Sequence, residues 1–378
     1  MRGFLIHKYG PSVVFTVEYP ASTSVALTLS RWGKEQCPAG GRKGSGIVTA
    51  PVDVDKRFAV DAVDAPAAIA GRSLGEIAWS RLRRDKWAMT GAVVIIIILL
   101  LVIFAPIICN LVGVNPDSNY ADTQPDLLDG IGFPAGPFSN ASWQHPFGVE
   151  PQTGRDLMAR TLYGGRNSLI VGVLATVIGL SIGVILGIIA GLRGGWVDSL
   201  LSRTMDVLLA FPVLLFAIAL LVILGQTTWY NQSLFWQIVV VTFIIGFFGW
   251  PYYGRLIRGQ VLSLREKEFV DAARSIGAPN SRIIFKELLP NLLPTVLVLA
   301  TLSIPSNILA EASLSFLGVG VLPPTPTWGG MINDALSCLN LDPAYMFVPG
   351  MAIFIVVLAF NLFGDGLRDA TDTRASDL

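Results

Sequence analysis

Six long apolar blocks separated by polar stretches set the pattern of this chain. They run from about Ala88 to Cys109, Ser168 to Leu192, Met205 to Leu224, Leu234 to Tyr253, Leu292 to Leu317 and Tyr345 to Phe363. A helix rises about 1.5 Å per residue, so each block is long enough to cross a hydrocarbon core of ~30 Å. Lipid offers no partner for backbone polar groups, so such blocks are expected to be helical. The pattern predicts an all-α membrane protein with six transmembrane helices. In the second block Gly172, Gly179, Gly183, Gly187 and Gly191 permit close helix contact, and the last three, spaced by four, share one face. Packing is the reading this spacing favours over a permeation role.

The polar interlude Lys267 to Pro290, between the fourth and fifth blocks, reads as a short amphipathic helix with a firm stop. Phe269, Ala273 and Ile276 recur at helical spacing, with Val270 and Ala272 beside them. Glu268 and Asp271 near its start and Arg274 near its end suit the helix dipole. Gly277 supplies a left-handed stop, Pro279 prevents resumption, and Asn280 or Ser281 is placed to cap a following helix. So short a helix needs a surface to pack on. Two readings stand at this point: a helix lying on the bundle or headgroups, and a knob that docks on another subunit.

Residues 1–70 read as an N-terminal extension: Val13 to Leu29 is mildly apolar but broken by Glu18 and Pro20, and residues 31–70, rich in Gly, Ala, Pro, Asp and Lys, read as disordered, as the extension as a whole is expected to be. One expectation is a translated upstream segment with the true start nearer Val48. Residues 71–125 hold an amphipathic helix from about Ser73 and the first span; 126–165 form an outer loop; 166–367 hold the other five spans, with the polar loop at 258–291; and 368–378 form a tail. A helix is expected from Thr153 to a stop at Gly164-Gly165. About sixteen Lys and Arg flank one set of block ends and about three the other, the bias expected for six spans with both termini cytoplasmic.

Composition agrees and excludes much. The chain has 378 residues, 52% hydrophobic and only 14% charged, with net charge +0 and mean hydropathy +0.60, which suggests no nucleic-acid role. Cys37, Cys109 and Cys338 show no metal-ligand spacing, although Cys109 and Cys338 fall on the same outer side, where a bridge is conceivable. There is no phosphate-binding loop, so the chain is not expected to hydrolyse ATP. His145 sits beside Pro146 with no nucleophile near it, and reads as a surface residue. Glu311 is the main anomaly, an ionisable group within the fifth block, with Asn307 one turn before it. A place near a gate or substrate path and a carboxylate bonded to neighbouring helices are both open. Asp206, near the start of the third block, reads as a helix-end residue. No catalytic, cofactor-binding or metal site emerges.

The polar interlude resembles the EAA loop of bacterial ABC importer permeases. The matching residues are Asp271-Ala272-Ala273, Gly277 and Glu287-Leu288-Leu289-Pro290, with Asp in place of the usual first Glu and Glu287 where Ile is usual. RRDKWAM, HPFGVEPQTGRDLMARTLYGGRNSL, EASLSFLGVGVLPPTPTWGGMIND and NLFGDGLRDATD are similar to the C-type permease of dipeptide and oligopeptide importers. The resemblance spans about Ser73 to the C-terminus and implies the type I ABC importer permease fold. It implies an ATPase-coupling helix formed by Glu268, Phe269, Val270, Asp271, Ala272, Ala273, Arg274, Ile276, Gly277 and Ala278, followed by Leu289 and Pro290. It also implies a bacterial inner-membrane location and four partners: a homologous permease subunit, two cytoplasmic ATPases and an extracytoplasmic binding protein. No cofactor is expected on this chain; ATP and Mg would be used by the ATPases. Nickel or another small solute is an alternative cargo. An autonomous ion-coupled transporter is the alternative of another class, but no repeated halves or midplane ionisable pair appear.

Overall fold

A computed structural model of the chain describes residues 7–9, 12–17, 25–28 and 74–372. The chain divides into two units, Met1–Ala70 and Gly71–Leu378. In the first, β1 (His7–Tyr9), β2 (Ser12–Val17) and β3 (Val25–Thr28) form an antiparallel meander in the order β1-β2-β3. His7 pairs with Val14 and Val17 with Val25. The β-branched run in β2 suits this pairing. The rest of the extension, including residues 31–70, expected to be disordered, and with them Cys37 and Val48, lies outside the described residues.

The second unit is helical. It opens with α1 (Leu74–Leu82), α2 (Lys86–Ile103) and α3 (Ala105–Val112), then a loop holding a short left-handed turn, α4 (Pro137–Asn140). There follow α5 (Leu157–Arg193), α6 (Gly195–Ala210), α7 (Val213–Gly225), α8 (Thr228–Asn231) and α9 (Leu234–Leu264). After them come α10 (Glu268–Ser275), α11 (Asn280–Arg282), a π-helical segment (Ile283–Leu288), α12 (Leu289–Phe316), α13 (Trp328–Leu336) and α14 (Pro343–Thr371).

Among the described residues five helices are long and apolar enough to cross a membrane, and a sixth span forms if α6 and α7 count as one, bent by 73°. The third block is therefore a broken helix and not the continuous one expected. Pro212 causes the break: it has no N–H to continue the ladder, and the next N–H, of Val213, turns to the Phe211 carbonyl at 2.8 Å. The first block also yields, at Phe104, just before Pro106. The expected stop at Gly164-Gly165 does not occur, because α5 starts from its Asp156 N-cap and runs unbroken for 37 residues. Those glycines instead admit Thr327 and Trp328; a Cβ on Gly165 would lie 2.6 Å from the Trp328 ring. Helices α9, α12 and α14 overrun their apolar blocks, since hydropathy marks only the lipid-crossing part of a helix.

The core is built on α5 and α9, which run parallel with backbones nearly touching. Gly179 faces the Gly246 carbonyl, Gly183 faces Tyr253 and Gly254, Gly187 faces Gly254 and Ile257, and Gly191 faces Val261. This is the packing role the glycine spacing suggested. Helix α12 joins through Gly172 against Ile308, and α2 packs on α14 through Gly91 against the Ala359 carbonyl. Helix α1 lies against the end of α14, where Arg81 donates to the Asp372 carbonyl at 3.0 Å.

A Cβ on Gly183 would fall 2.6 Å from Tyr253 Cβ and 2.9 Å from the Gly254 nitrogen, neither of which can retreat without parting the helices. Gly183→Leu is expected to lower the unfolding temperature and folded yield of the detergent-solubilised chain, at a cost of about 1–3 kcal/mol or more, as overpacking generally does. Gly259→Leu, on α9 where a Cβ meets open space, should behave like the unaltered chain in the same melting experiment.

Candidate functional site

The loop between α9 and α12 builds a small helix with two unlike apolar faces. Lys267 is the N-cap of α10, Glu268 and Asp271 lie in its first turn and Arg274 in its last. The helix ends as the sequence requires: Gly277 takes φ +76°, its N–H donates to the Arg274 carbonyl at 2.9 Å, and the Ala278 N–H donates to the Ala273 carbonyl at 3.0 Å. The next helix starts from Pro279, with no side-chain cap from Asn280 or Ser281. Its first turns are π-helical because Pro290 has no N–H for an i−4 carbonyl; Leu289 N–H reaches back to Ile284 instead.

The apolar residues of α10, expected to form one face, divide in two. Val270 and Ala273 are buried in a cluster with Ile283 and Leu288 of the π segment, Leu292 and Leu299 of α12, Ile188 of α5 and Ile257 and Val261 of α9. Phe269 and Ile276 point outward, 36% and 74% exposed. Around them Glu268, Asp271, Ala272, Arg274 and Gly277 are exposed, and Asp271 pairs loosely with Arg274 at 3.6 Å. Ala278 and Leu289 are half-buried, and Pro290 is exposed. The helix thus sits on its own bundle with one face and offers the other to solvent.

Glu311 and Asn307 lie within α12. Glu311 is fully buried, and its Oε1 accepts from the Ser315 hydroxyl at 2.6 Å. Its Oε2 and the nearby Ser168 hydroxyl both lack a well-aligned hydrogen bond. Beside it Gly329 of α13 presses on the Ala312 backbone. Half-buried Asn307 donates to the Thr176 hydroxyl of α5 at 2.8 Å. The two residues therefore serve different contacts, and Glu311 exposes no surface.

At the far end of the bundle from α10, a buried polar network went unread in the sequence. Glu150 pairs with Arg160 at 2.6 Å and with Arg155 at 3.7 Å, and accepts from Thr153. Asp156 caps α5 through the Ala159 N–H at 2.6 Å and faces His145 Nδ1 at 2.9 Å. His145, read as a surface residue, is buried, because it pins its loop to the start of α5. Ser139 donates to Asp342 at 2.5 Å, tying the loop to α14. The position of Asp156 just before a helix was the one available signal. Tyr230 of α8 is also buried there and donates to the Gly320 carbonyl at 3.2 Å; burial pushes its phenol up to about 12. Cys109 and Cys338 are both buried free thiols, so the conceivable bridge is not formed. No group of three or more His, Cys, Asp or Glu that could hold a metal occurs among the described residues.

Comparison with known proteins gives concordant matches. Residues 183–377 match the family described as binding-protein-dependent transport system inner membrane component. Residues 73–128 match the N-terminal TM domain of oligopeptide transport permease C. The chain is 40% identical over 298 residues to the dipeptide transport system permease protein DppC of Alkalihalophilus pseudofirmus, covering 79% of this chain and 89% of that one. It is 41% identical over 296 residues to the glutathione transport system permease protein GsiD of Shigella flexneri, covering 78% and 89%. Among solved structures it is similar to a chain of the inward-facing MetNI methionine ABC transporter, at TM-score 0.46 and 20% identity over 57% of this chain and 98% of that chain.

The buried network supplies a stability test. Removing Arg160 leaves buried Glu150 with only Thr153 and the longer contact to Arg155, at a cost of up to about 3–5 kcal/mol. Arg160→Met should therefore sharply lower the thermal unfolding temperature in detergent. Arg274→Ala, which breaks only the exposed pair with Asp271, should change it by no more than about 1 kcal/mol equivalent.

Proposed function

This chain belongs to the family of binding-protein-dependent transport system inner membrane components, and we propose that it forms half of the translocation pathway of an ATP-driven importer of di- and oligopeptides. Membership makes it a multi-pass membrane permease that works with ATPase subunits, in a family of membrane subunits that are generally non-catalytic. The finer reading is a heterodimer with a homologous permease, two cytoplasmic ATPases of which one docks on the α10 loop, and an extracytoplasmic binding protein that delivers cargo to the opposite end. The bias of Lys and Arg toward the α10 end supports cytoplasmic termini. The chain binds no cofactor in this reading; ATP and Mg act on the ATPases. Peptide cargo is supported by the dipeptide and glutathione permeases among its relatives.

The observation that carries the coupling role is the two-faced α10. Phe269 and Ile276 form an exposed apolar tip within a charged surround, the form of a knob for a partner's groove. Burying Phe269 there would contribute about 1.5–3 kcal/mol. Val270 and Ala273 root the same helix in the cluster that holds the near ends of α5, α9 and α12. Movement of the ATPases against the tip is thereby passed to three spanning helices through close-packed side chains. The π segment beside Pro290 is the softest link, since its ladder is already interrupted. Nickel or another small solute remains the alternative cargo, and no feature of the geometry favours it.

Two experiments test this with the assembled importer in proteoliposomes. A Cβ on Gly277 meets open space, but the backbone there is left-handed, so Gly277→Val should perturb only the helix end. The variant should insert normally and retain ATP hydrolysis while peptide uptake falls tenfold or more; normal uptake would count against coupling through α10. Uptake of labelled dipeptide, set against labelled nickel, decides the cargo.

A further inference from the structure

Helices α6 and α9 are joined by two ion pairs of different character. Arg258 holds Asp198 through both carboxylate oxygens, with side chains only 29% and 19% exposed. This pair fastens α6 to α9 at their α10 end, where Arg265 also donates to the Gly191 carbonyl of α5 at 3.0 Å. Arg255 and Asp206 form the second pair, and these side chains remain 54% and 55% exposed. Helix α9 continues for nine residues beyond Arg255 to Leu264, about 13 Å at 1.5 Å per residue. The second pair therefore lies about 13 Å short of the end of α9, at the margin of the third and fourth apolar blocks, where an exposed charge has water or protein beside it.

The break between α6 and α7 indicates what lies beside it. Arg255 and Phe248 are seven residues apart, two helical turns, and so share one stripe of α9. Helix α6 meets that stripe twice: Asp206 pairs with Arg255, and the Phe211 ring stacks on Phe248 at 5.9 Å. Phe211 is where the ladder fails before Pro212, and both residues are exposed. An interrupted backbone ladder is not tolerated against lipid; it is found against protein or a water-filled cavity. The stripe with Arg255, Tyr252 and Phe248 thus faces away from lipid, toward the space that two permease halves would enclose.

We propose that Asp206 and Arg255 are a cargo-binding pair on the pathway wall, which opens to take the two termini of a peptide. This rests on the peptide reading above. A peptide with free termini carries one ammonium and one carboxylate. Asp206 accepts hydrogen bonds from the ammonium, and the Arg255 guanidinium donates two parallel hydrogen bonds to the carboxylate. In the empty chain each group neutralises the other. Exposed ion pairs contribute little to stability, and Asp198 with Arg258 already fastens the helices, so the second pair can open without parting them.

The test uses inside-out vesicles containing the whole importer, in which peptide reaches the α10 end without a binding protein. Arg255→Cys and Asp206→Cys variants are exposed to a charged, membrane-impermeant methanethiosulfonate, with the unaltered chain as the blank. Both cysteines should react. For each, saturating trialanine should slow the reaction of the cysteine at least fivefold, because the charge left on the other residue still holds one terminus, whereas N-acetyl-trialanine amide should not. No reaction at either position, or equal slowing by both peptides, would overturn the proposal. In parallel, Arg255→Gln should cut trialanine uptake at least fivefold while leaving ATP hydrolysis and thermal stability near those of the unaltered importer; a matching fall in stability would mark the pair as structural and sink the assignment. Uptake of trialanine by the unaltered importer separates the two readings: uptake without protection defeats the binding pair alone, and absence of uptake defeats the peptide reading and this assignment with it.

Discussion

The contact between α5 and α9 governs the rest of this fold. In lipid there is no hydrophobic drive to bring two apolar helices together, so association depends on backbones approaching closely enough for dispersion and weak polar contacts to accumulate. Glycine at 179, 183, 187 and 191 makes that approach possible, and Gly246 and Gly254 answer it from the other side. The other spanning elements attach to this pair or to its neighbours: α6 through its two ion pairs with α9, α12 through Gly172 and the Asn307–Thr176 hydrogen bond with α5.

The α10 loop inherits its mechanical meaning from that pair. A short amphipathic helix at the end of a loop would be free to rock if it touched nothing. Here Val270 and Ala273 are buried beside Ile188, Ile257 and Val261, residues of the two parallel helices themselves. The loop is therefore an extension of the core at one end, while Phe269 and Ile276 remain free to meet another surface. At the opposite end the buried Glu150, Arg160, Asp156 and His145 contacts do comparable work with polar chemistry, holding an irregular segment against α5. Both ends of α5 are thus clamped, one by apolar packing and one by buried polar contacts.

Charged groups within the bundle sort by exposure. Glu311 is sealed between helices with a serine on its carboxylate, and Asp198 with Arg258 is largely covered. Asp206 with Arg255 alone among these is half open to its surroundings, and it shares a stripe of α9 with the broken segment of the third span. Burial separates groups that hold the fold from groups that can meet something outside it, and residue type alone does not.

The sequence by itself determined the membrane class, the rough positions of the spans, the bias of charge toward one set of span ends, the stop at Gly277 and the packing use of the glycine stripe. Those features depend on local quantities: apolar run length, charge beside it, and the steric freedom of one residue. Tertiary structure decided the rest. Pro212 breaks its span while Pro251 and Pro305 stay inside continuous helices, because neighbouring contacts determine whether a missing N–H can be absorbed. Val270 and Phe269, adjacent and similarly apolar, face opposite ways because only one of them meets Ile283 and Leu288. His145 is buried because Asp156 lies across from it, a pairing that comes from how the loop folds back on α5 and leaves no trace in hydropathy. Arg255 and Asp206, 49 positions apart, become a pair only when α6 turns back along α9.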